Sequence, residues 1–388
     1  MKKVMIVVTH LLGSGHLARA HLLAQAFSAA GHDVLLVSGG KPVAHLTVTG
    51  ANLVQLPPLS SDGANFSRVL TPDGVDADAV YLAERQAVLV DALARFRPDC
   101  LITELFPFGR RKLRAEFRAL LTAARAMVPR PCILASVRDI LAPPSKPERA
   151  AETEATIAEF YDGVLVHSDP DQTPLSVSWP VSAALEQRLH YTGYIAPPPP
   201  DPKPGLPGSG EILVSAGGGD VGAALYETAI AAAAQRPDQR WRFLVGGARA
   251  IPEIARLRAM AVALLGNAAT EARVIIEPAR PDFRDMLCNA AASVSMCGYN
   301  TALDLLGAGA PGVFVPFDAG AEVEQVIRAR SLARNPHFAL LPNAALGADA
   351  LLAALDSVMR AGHFVPDRAN LNGAARSVEV ARDLCDAH

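Results

Sequence analysis

Two residues in the first third of the chain have the chemistry of proton transfer. An apolar run over residues 3 to 9 passes through Gly13-Ser14-Gly15-His16-Leu17-Ala18-Arg19 into an Ala- and Leu-rich stretch. The glycines permit a tight turn, and backbone N–H groups at a helix start face whatever lies beyond the strand end. An imidazole there feels positive potential that favours its neutral form, the form required of a general base. The plainer alternative is a histidine that hydrogen-bonds its own loop. Glu104 is the second candidate, just after the apolar run 100 to 103 and before Leu105-Phe106-Pro107-Phe108-Gly109. A carboxylate at the carboxyl end of a parallel strand, beside two aromatic rings, is expected to have a raised pKa. Arg110, Arg111, Lys112 and Arg114 follow as a basic cluster suited to a phosphate, to an anionic membrane surface, or simply to a solvated helix face.

Groups suited to phosphates and sugars recur later. Ile212-Leu213-Val214-Ser215-Ala216-Gly217-Gly218-Gly219-Asp220 reads as a strand entering a Gly-rich turn before a helix, where backbone amides can approach a diphosphate closely. Ser295-Met296-Cys297-Gly298-Tyr299-Asn300-Thr301-Ala302-Leu303-Asp304 repeats the pattern. Thr301 and Asp304 share a helical face near its start, where a hydroxyl can meet a phosphate and a carboxylate can accept both hydroxyls of a ribose. Glu324 and Gln325, after Pro316-Phe317 and Glu322, suit the hydroxyls of a sugar. An N-capping threonine and a solvated acidic helix start would explain these residues singly, but not their shared position after strand ends.

Other chemistries are less well supported. The first Gly-rich turn also fits the GxGxxA dinucleotide pattern, yet the second strand ends Val37-Ser38-Gly39-Gly40-Lys41 with no acid for an adenosine ribose. That counts against NAD, while NADP could use Ser38 and Lys41. Asp76-Ala77-Asp78 and Asp169-Pro170-Asp171 are DxD tripeptides of the kind that hold metals, but the first looks like a helix cap and the second like a proline-fixed turn. No metal is expected. Cys100, Cys132, Cys288, Cys297 and Cys385 are odd in number and irregular in spacing, which reads as buried small hydrophobes in a reducing compartment, with neither a disulfide framework nor a zinc site.

Positioning such groups requires strands that alternate with helices. Short β-branched runs near 3 to 9, 33 to 38, 99 to 103, 131 to 136 and 163 to 167 alternate with helical patterns near 17 to 30, 79 to 96, 111 to 126 and 148 to 160. That is the pattern of a doubly wound parallel sheet. Prolines at 197, 198, 199, 200, 202, 204 and 207 then interrupt it. The alternation restarts with strands near 211 to 215, 241 to 245, 273 to 276, 292 to 295 and 312 to 315 and helices near 220 to 235, 252 to 265, 300 to 308 and 322 to 333. We therefore expect two doubly wound α/β domains, residues 1 to 196 and 211 to 388, joined by a stiff linker over 197 to 210 and facing across a cleft. Whether the last helix packs back on the first domain is left open by periodicity.

Composition narrows the partners. The chain has 388 residues, 36 basic and 39 acidic side chains, and a net charge of −3, so no general basic field exists for nucleic acid. No run of about 18 apolar residues occurs to span a membrane. The N-terminal apolar stretch is cut by His10, which argues for a first strand rather than a signal peptide, and a cytoplasmic location, with contact at the inner membrane face through the basic cluster, is expected.

Gly-Ser-Gly-His-Leu-Ala-Arg at the front, Ser-Ala-Gly-Gly-Gly in the middle and Gly-Tyr-Asn-Thr with its later Glu-Gln resemble a bacterial family of predicted GT-B glycosyltransferases, distantly related to the N-acetylglucosaminyltransferase of lipid II synthesis. The likeness covers nearly the whole chain, including Ser136-Val137-Arg138-Asp139-Ile140-Leu141 and His190-Tyr191-Thr192-Gly193-Tyr194. It implies a C-terminal domain that binds a nucleotide diphosphate sugar, by family likeness UDP-linked, through Ser215, Gly217, Gly218, Gly219, Gly298, Tyr299, Asn300, Thr301, Asp304, Glu324 and Gln325. It implies an N-terminal domain that binds a glycan, glycolipid or small-molecule acceptor near Gly13, Ser14, Gly15, Arg19, Phe106, Arg110, Arg111 and Arg138. The lipid II enzyme has glutamate at the position of Asp304, and its Gln pair appears here as Glu324 and Gln325 after one extra residue.

The activity expected from the resemblance is inverting, metal-independent glycosyl transfer without a bound cofactor, with His16 or Glu104 as the base. Two alternatives stand beside it. One is a nucleotide-sugar hydrolase of the same fold, similar to the enzyme of pseudaminic acid synthesis that also carries GxGH; the other is a non-catalytic nucleotide-sugar-binding protein.

Overall fold

The computed structural model describes residues 1–43, 49–61, 68–198, 200, 205, 207–217, 222–318 and 323–387. It divides the chain into one unit of Met1–Pro197 with Ala369–His388 and a second of Pro198–Arg368.

The first unit is built on a parallel sheet of seven strands: β1 (Lys3–Val8), β2 (Asp33–Gly40), β3 (Asn52–Leu59), β4 (Cys100–Glu104), β5 (Cys132–Arg138), β6 (Gly163–His167) and β7 (Leu189–Tyr191). Their order is β3-β2-β1-β4-β5-β6-β7. The winding reverses between β1 and β4, and this switch point is where ligands bind in open α/β sheets. Alternation along each strand sorts the core into two layers. Val4, Ile6, Cys100, Ile102, Cys132 and Leu134 face one way, under helix α1 (Gly15–Ala29). Met5, Val7, Leu101, Ile133 and Val137 face the other, under α2 (Ala79–Phe96), α3 (Arg114–Arg125) and α4 (Pro147–Phe160), with the short α5 (Ala183–Glu186) beyond.

The second unit has a six-stranded parallel sheet: β8 (Glu211–Ser215), β9 (Arg240–Val245), β10 (Val274–Pro278), β11 (Ala292–Ser295), β12 (Gly312–Phe314) and β13 (Phe338–Leu340), in the order β10-β9-β8-β11-β12-β13. Its switch point lies between β8 and β11. One face packs on α6 (Ala223–Gln235), α7 (Ala250–Leu265) and, further along the chain, α12 (Ala348–Ala361), with α8 (Asn267–Arg273) leading into β10. The other packs on α9 (Phe283–Leu287), α10 (Tyr299–Ala308) and α11 (Glu324–Leu332).

The last helix, α13 (Gly373–Asp386), belongs to the first unit, the arrangement that periodicity left open beside a second domain running to residue 388. Val380 and Ala381 join the α1 face of the first sheet, and the returning chain is tied there by Asn370 Nδ2 to Asp169 Oδ2 (2.8 Å) and Gly373 N to Tyr194 O (2.9 Å). Both α/β alternations are as expected, while three strands, β3, β7 and β13, have no counterpart in the periodicity.

Candidate functional site

His16 and Glu104 meet at the first switch point. His16 is the second residue of α1, reached from β1 through Gly13, whose φ of +64° suits a residue without Cβ. Glu104 is the last residue of β4 and shares the parity of Cys100 and Ile102, so the pleat turns its side chain toward α1. His16 Nδ1 lies 3.1 Å from Glu104 Oε1, and Arg19, one helical turn on, donates Nη2–H to the same oxygen. Ser136, the register partner of Glu104 on β5, donates its hydroxyl to Oε2 at 2.6 Å. With that proton committed, Ser136 Oγ accepts from His167 Nε2 (2.9 Å), and His167 Nδ1 is left to accept from Thr192 Oγ1 (2.8 Å).

This network reverses one expectation. Burial pushes the Glu104 carboxyl up, but the charge of Arg19 and the bonds from His16 and Ser136 outweigh it and hold the group well below the usual carboxylate range. The aromatic pair does not supply the expected apolar surround: Phe106 turns away to stack on Phe117 at 4.6 Å between centroids. Glu104 is thus a fixed anion, unsuited to take a proton. Burial pushes His16 down, its bond to Glu104 pulls it up, and Arg110 and Arg19 push it down again, leaving it at about 3. It is neutral at pH 7. Arg19 Nη2 also lies 3.0 Å from His16 Nδ1, but an anionic carboxylate is the stronger acceptor, so we assign the Nδ1 proton to the Glu104 bond. That leaves the lone pair on Nε2.

The remaining residues expected around an acceptor are dispersed over this end of the sheet. Arg110 has its Nε on Thr9 O and a left-handed φ of +60°. Burial pushes its guanidinium down to about 10, with Glu104 opposing and Arg138 and Arg19 adding to the fall. Arg138 donates Nε to Ile140 O at 3.1 Å, Arg111 is exposed, and Ser14 and Gly15 open α1. The Ser38-Gly39-Gly40 segment is occupied by protein: Arg85, fully buried and paired with Glu116 at 2.8 Å, donates to Gly39 O at 2.8 Å, and a Cβ on Gly39 would collide with Thr9 and Arg85. This glycine serves close packing and not a dinucleotide. Sequence reasoning gave no role to Ser136, His167, Arg85 and Glu116: Ser136 finds Glu104, His167 finds Ser136 and Arg85 finds Glu116, each 31 or more residues away.

In the second unit the expected donor residues converge on the other switch point. Ser215 ends β8 opposite Ser295 of β11, and its Oγ accepts from Gly217 N at 3.2 Å. Gly218 and Gly219, together with Glu322, lie outside the described residues. Gly298, which has no side chain to bond with, is the N-cap of α10, and Tyr299, Asn300 and Thr301 make up the first turn behind it. Arg328 of α11 donates to Cys297 O at 2.9 Å and places its guanidinium 5.6 Å from the Tyr299 ring centre, bracing the turn. Gln325 Oε1 accepts from Phe317 N at 3.1 Å, and Glu324 opens α11 beside it. Asp304 is bound by Arg284 of α9, Oδ1 to Nε at 2.8 Å. Burial pushes its carboxyl up to about 6 against the pull of Arg284.

Both DxD tripeptides serve structure. Asp76 pairs with Arg68 at 2.9 Å, Asp78 caps α2 through Tyr81 N at 2.8 Å, and Asp169 accepts from Asp171 N and Asn370. The cysteines depart from expectation. Cys100 and Cys132, register partners that open β4 and β5, meet Cys385 of α13 with all three sulfurs within 4.8 Å of one another. Thiolates so placed could hold a soft metal, but they lie at the strand ends opposite Glu104, about 13 Å away at 3.3 Å per residue. Among the described residues no helix is long and apolar enough to cross a membrane.

Two parallel-sheet units with these strand orders have the GT-B fold of glycosyltransferases. MurG from Acinetobacter baumannii is similar over 100% of this chain and 99% of its own, at 15% identity and a TM-score of 0.59. TcCGT1, solved in complex with UDP, matches over 100% of both chains at 16% identity and 0.61, and VinC, solved in complex with dTDP, over 99% of this chain and 95% of its own at 16% and 0.58. No known family model and no curated protein matches the chain.

Proposed function

We propose that this chain is an inverting glycosyltransferase that moves a sugar from a nucleotide diphosphate, with UDP the first choice, to an acceptor hydroxyl without a metal. The observation that carries the reading is the His16–Glu104 pair at the switch point of the first sheet, 3.1 Å apart. In the proposed step the acceptor oxygen attacks the anomeric carbon while His16 Nε2 takes its proton. The bond from that carbon to the diphosphate breaks, and the diphosphate leaves with the electron pair. Glu104 is a positioning residue: it holds the ring through Nδ1–H and stabilises the imidazolium as it forms. Because Arg19 and Arg110 oppose that cation, proton transfer accompanies C–O bond formation and does not precede it.

On the donor side, the Gly298-led first turn of α10 and the Ser215–Gly217 turn are suited to the departing diphosphate, in place of a metal. Asp304, oriented by Arg284, is proposed for the ribose, and Glu324 and Gln325 for the sugar. The fold relatives crystallised with UDP and dTDP support a nucleotide in this role. The test is His16→Ala with UDP-sugar donors and an acceptor panel. Transfer should fall by about 10²- to 10⁴-fold with the folded state and UDP binding retained, and wild-type transfer should survive EDTA. Near-normal transfer in the variant would remove His16 as base, and free sugar released without acceptor at the same rate would make the protein a hydrolase.

A further inference from the structure

We propose that the first unit carries a seat for a small amphipathic anion, an apolar ring bearing a phosphate or carboxylate, in the cavity under Arg111 and Arg149. The cavity has a volume of about 220 Å³ and lies between the loop after β4, the start of α3, the first turns of α4, and Trp179. Phe106, Phe108 and Trp179 make an apolar floor, with Phe108 edge-on to Trp179 at 5.2 Å. The hydroxyls in its wall are already committed to backbone: Thr153 Oγ1 donates to Arg149 O at 2.9 Å and Thr156 Oγ1 to Glu152 O at 2.8 Å. An occupant therefore meets apolar surface inside and finds its polar partners at the rim.

The rim is cationic and incompletely neutralised. Arg114 pairs with Glu152 at 3.1 Å, but among the described residues neither Arg111 nor Arg149 has a carboxylate within 4.0 Å. The two guanidinium groups act on each other: burial and then the charge of Arg149 push Arg111 down, with Glu152 opposing. Two like charges at one mouth are costly without an anion between them. Size sets the class, since a cavity of about 150 Å³ holds one benzene ring and 220 Å³ admits a ring with its anionic head. That is less than the roughly 300 Å³ at which whole-ligand sites begin, so the cavity seats one end of a molecule.

The experiment uses the full chain carrying Trp241→Phe, which leaves Trp179 as the single tryptophan reporter. It is titrated with phenyl phosphate, inorganic phosphate and phenol, with UDP titrated in parallel. We expect phenyl phosphate to shift Trp179 emission with one site per chain and to bind at least ten-fold more tightly than either phosphate or phenol. Arg111→Glu with Arg149→Glu, the first exposed and the second half-buried, should weaken it at least ten-fold and leave UDP affinity unchanged. Equal binding of phosphate and phenyl phosphate, or indifference to the two charge reversals, would overturn the proposal. So would binding of anionic phosphatidylglycerol vesicles that depends on the two arginines while phenyl phosphate does not bind, because the patch would then face a membrane. Phenyl phosphate binding without UDP binding would keep the seat and sink the donor reading instead.

Discussion

Glu104 and Asp304 are both buried carboxylates at sheet switch points, each bound to an arginine, and their protons behave in opposite ways. Glu104 is the more deeply buried, at 2% exposure against 15% for Asp304, and so suffers the larger desolvation. Yet Glu104 is held low while Asp304 is raised to about 6. The difference lies in the number of donors. Glu104 receives Arg19 and His16 on one oxygen and Ser136 on the other, whereas Asp304 has the Arg284 guanidinium as its charge partner. Partner count outweighs burial, and the two sites acquire different capacities: the first carries a permanent charge able to stabilise an imidazolium, the second a carboxyl that changes charge near neutral pH.

The comparison breaks most readily at Arg19. Arg19→Met leaves Glu104 buried without its cation and should cost about 3 to 5 kcal/mol, the scale for half of a buried pair. Urea unfolding measures it, and adding Glu104→Gln should restore much of the loss. A cost below about 1 kcal/mol would show that Arg19 is not what holds the carboxylate ionised. Ser136→Ala comes next. It removes one charge-assisted hydrogen bond, for about 1.5 to 3 kcal/mol, and leaves His167 Nε2–H without its acceptor. Asp304→Asn should be milder for the fold, at about 1 kcal/mol or less, because burial already cancels much of what Arg284 contributes. The same change should weaken UDP binding by about 1 to 3 kcal/mol. Calorimetric titration checks both halves, and an unchanged UDP affinity would remove Asp304 from the ribose role.

How far the sequence disclosed all this depended on the range of the interaction. Central strands read well because both faces are buried and their apolar runs are continuous: residues 211 to 215 were read as the strand that is observed. The three missed strands are all at sheet edges, and each had a reason to be silent. β3 carries Pro57-Pro58, which an edge tolerates, and β7 and β13 are three residues long. His16 and Glu104 were legible because position after a strand end is a local property. The partners that decide their protonation were not, since Ser136 reaches Glu104 through strand register and His167 through Ser136. The cysteine cluster was hidden in the same way, two members by register and the third by the return of α13. Arg149 and Trp179, which complete the cavity with Phe106 and Phe108, lie in separate helical and loop segments that no spacing rule connects.

The finest test of the contrast is the dependence of stability on pH, where the two regions oppose each other. His16 and His167 are both pushed down to about 3 by burial, from an ordinary value of 6.5. Between those values the unfolded chain binds the protons that the folded chain refuses, so their contribution is complete above pH 6.5 and is lost as pH falls toward 3. Asp304 has the reverse sign. Its folded carboxyl titrates near 6 against an ordinary 3.8, so the folded chain binds the extra proton, and stability is gained as pH falls from 6 toward 3.8. Burial also lowers His10, His21 and His190 and raises Glu116, so five histidines stand against two carboxyls, and Tm should fall between pH 7 and pH 5. His167→Gln should flatten that fall by removing one refused proton. Asp304→Asn should steepen it by removing the gain that partly masks it. Should both variants shift the slope in the same direction, the opposite proton linkage of His167 and Asp304 would be wrong.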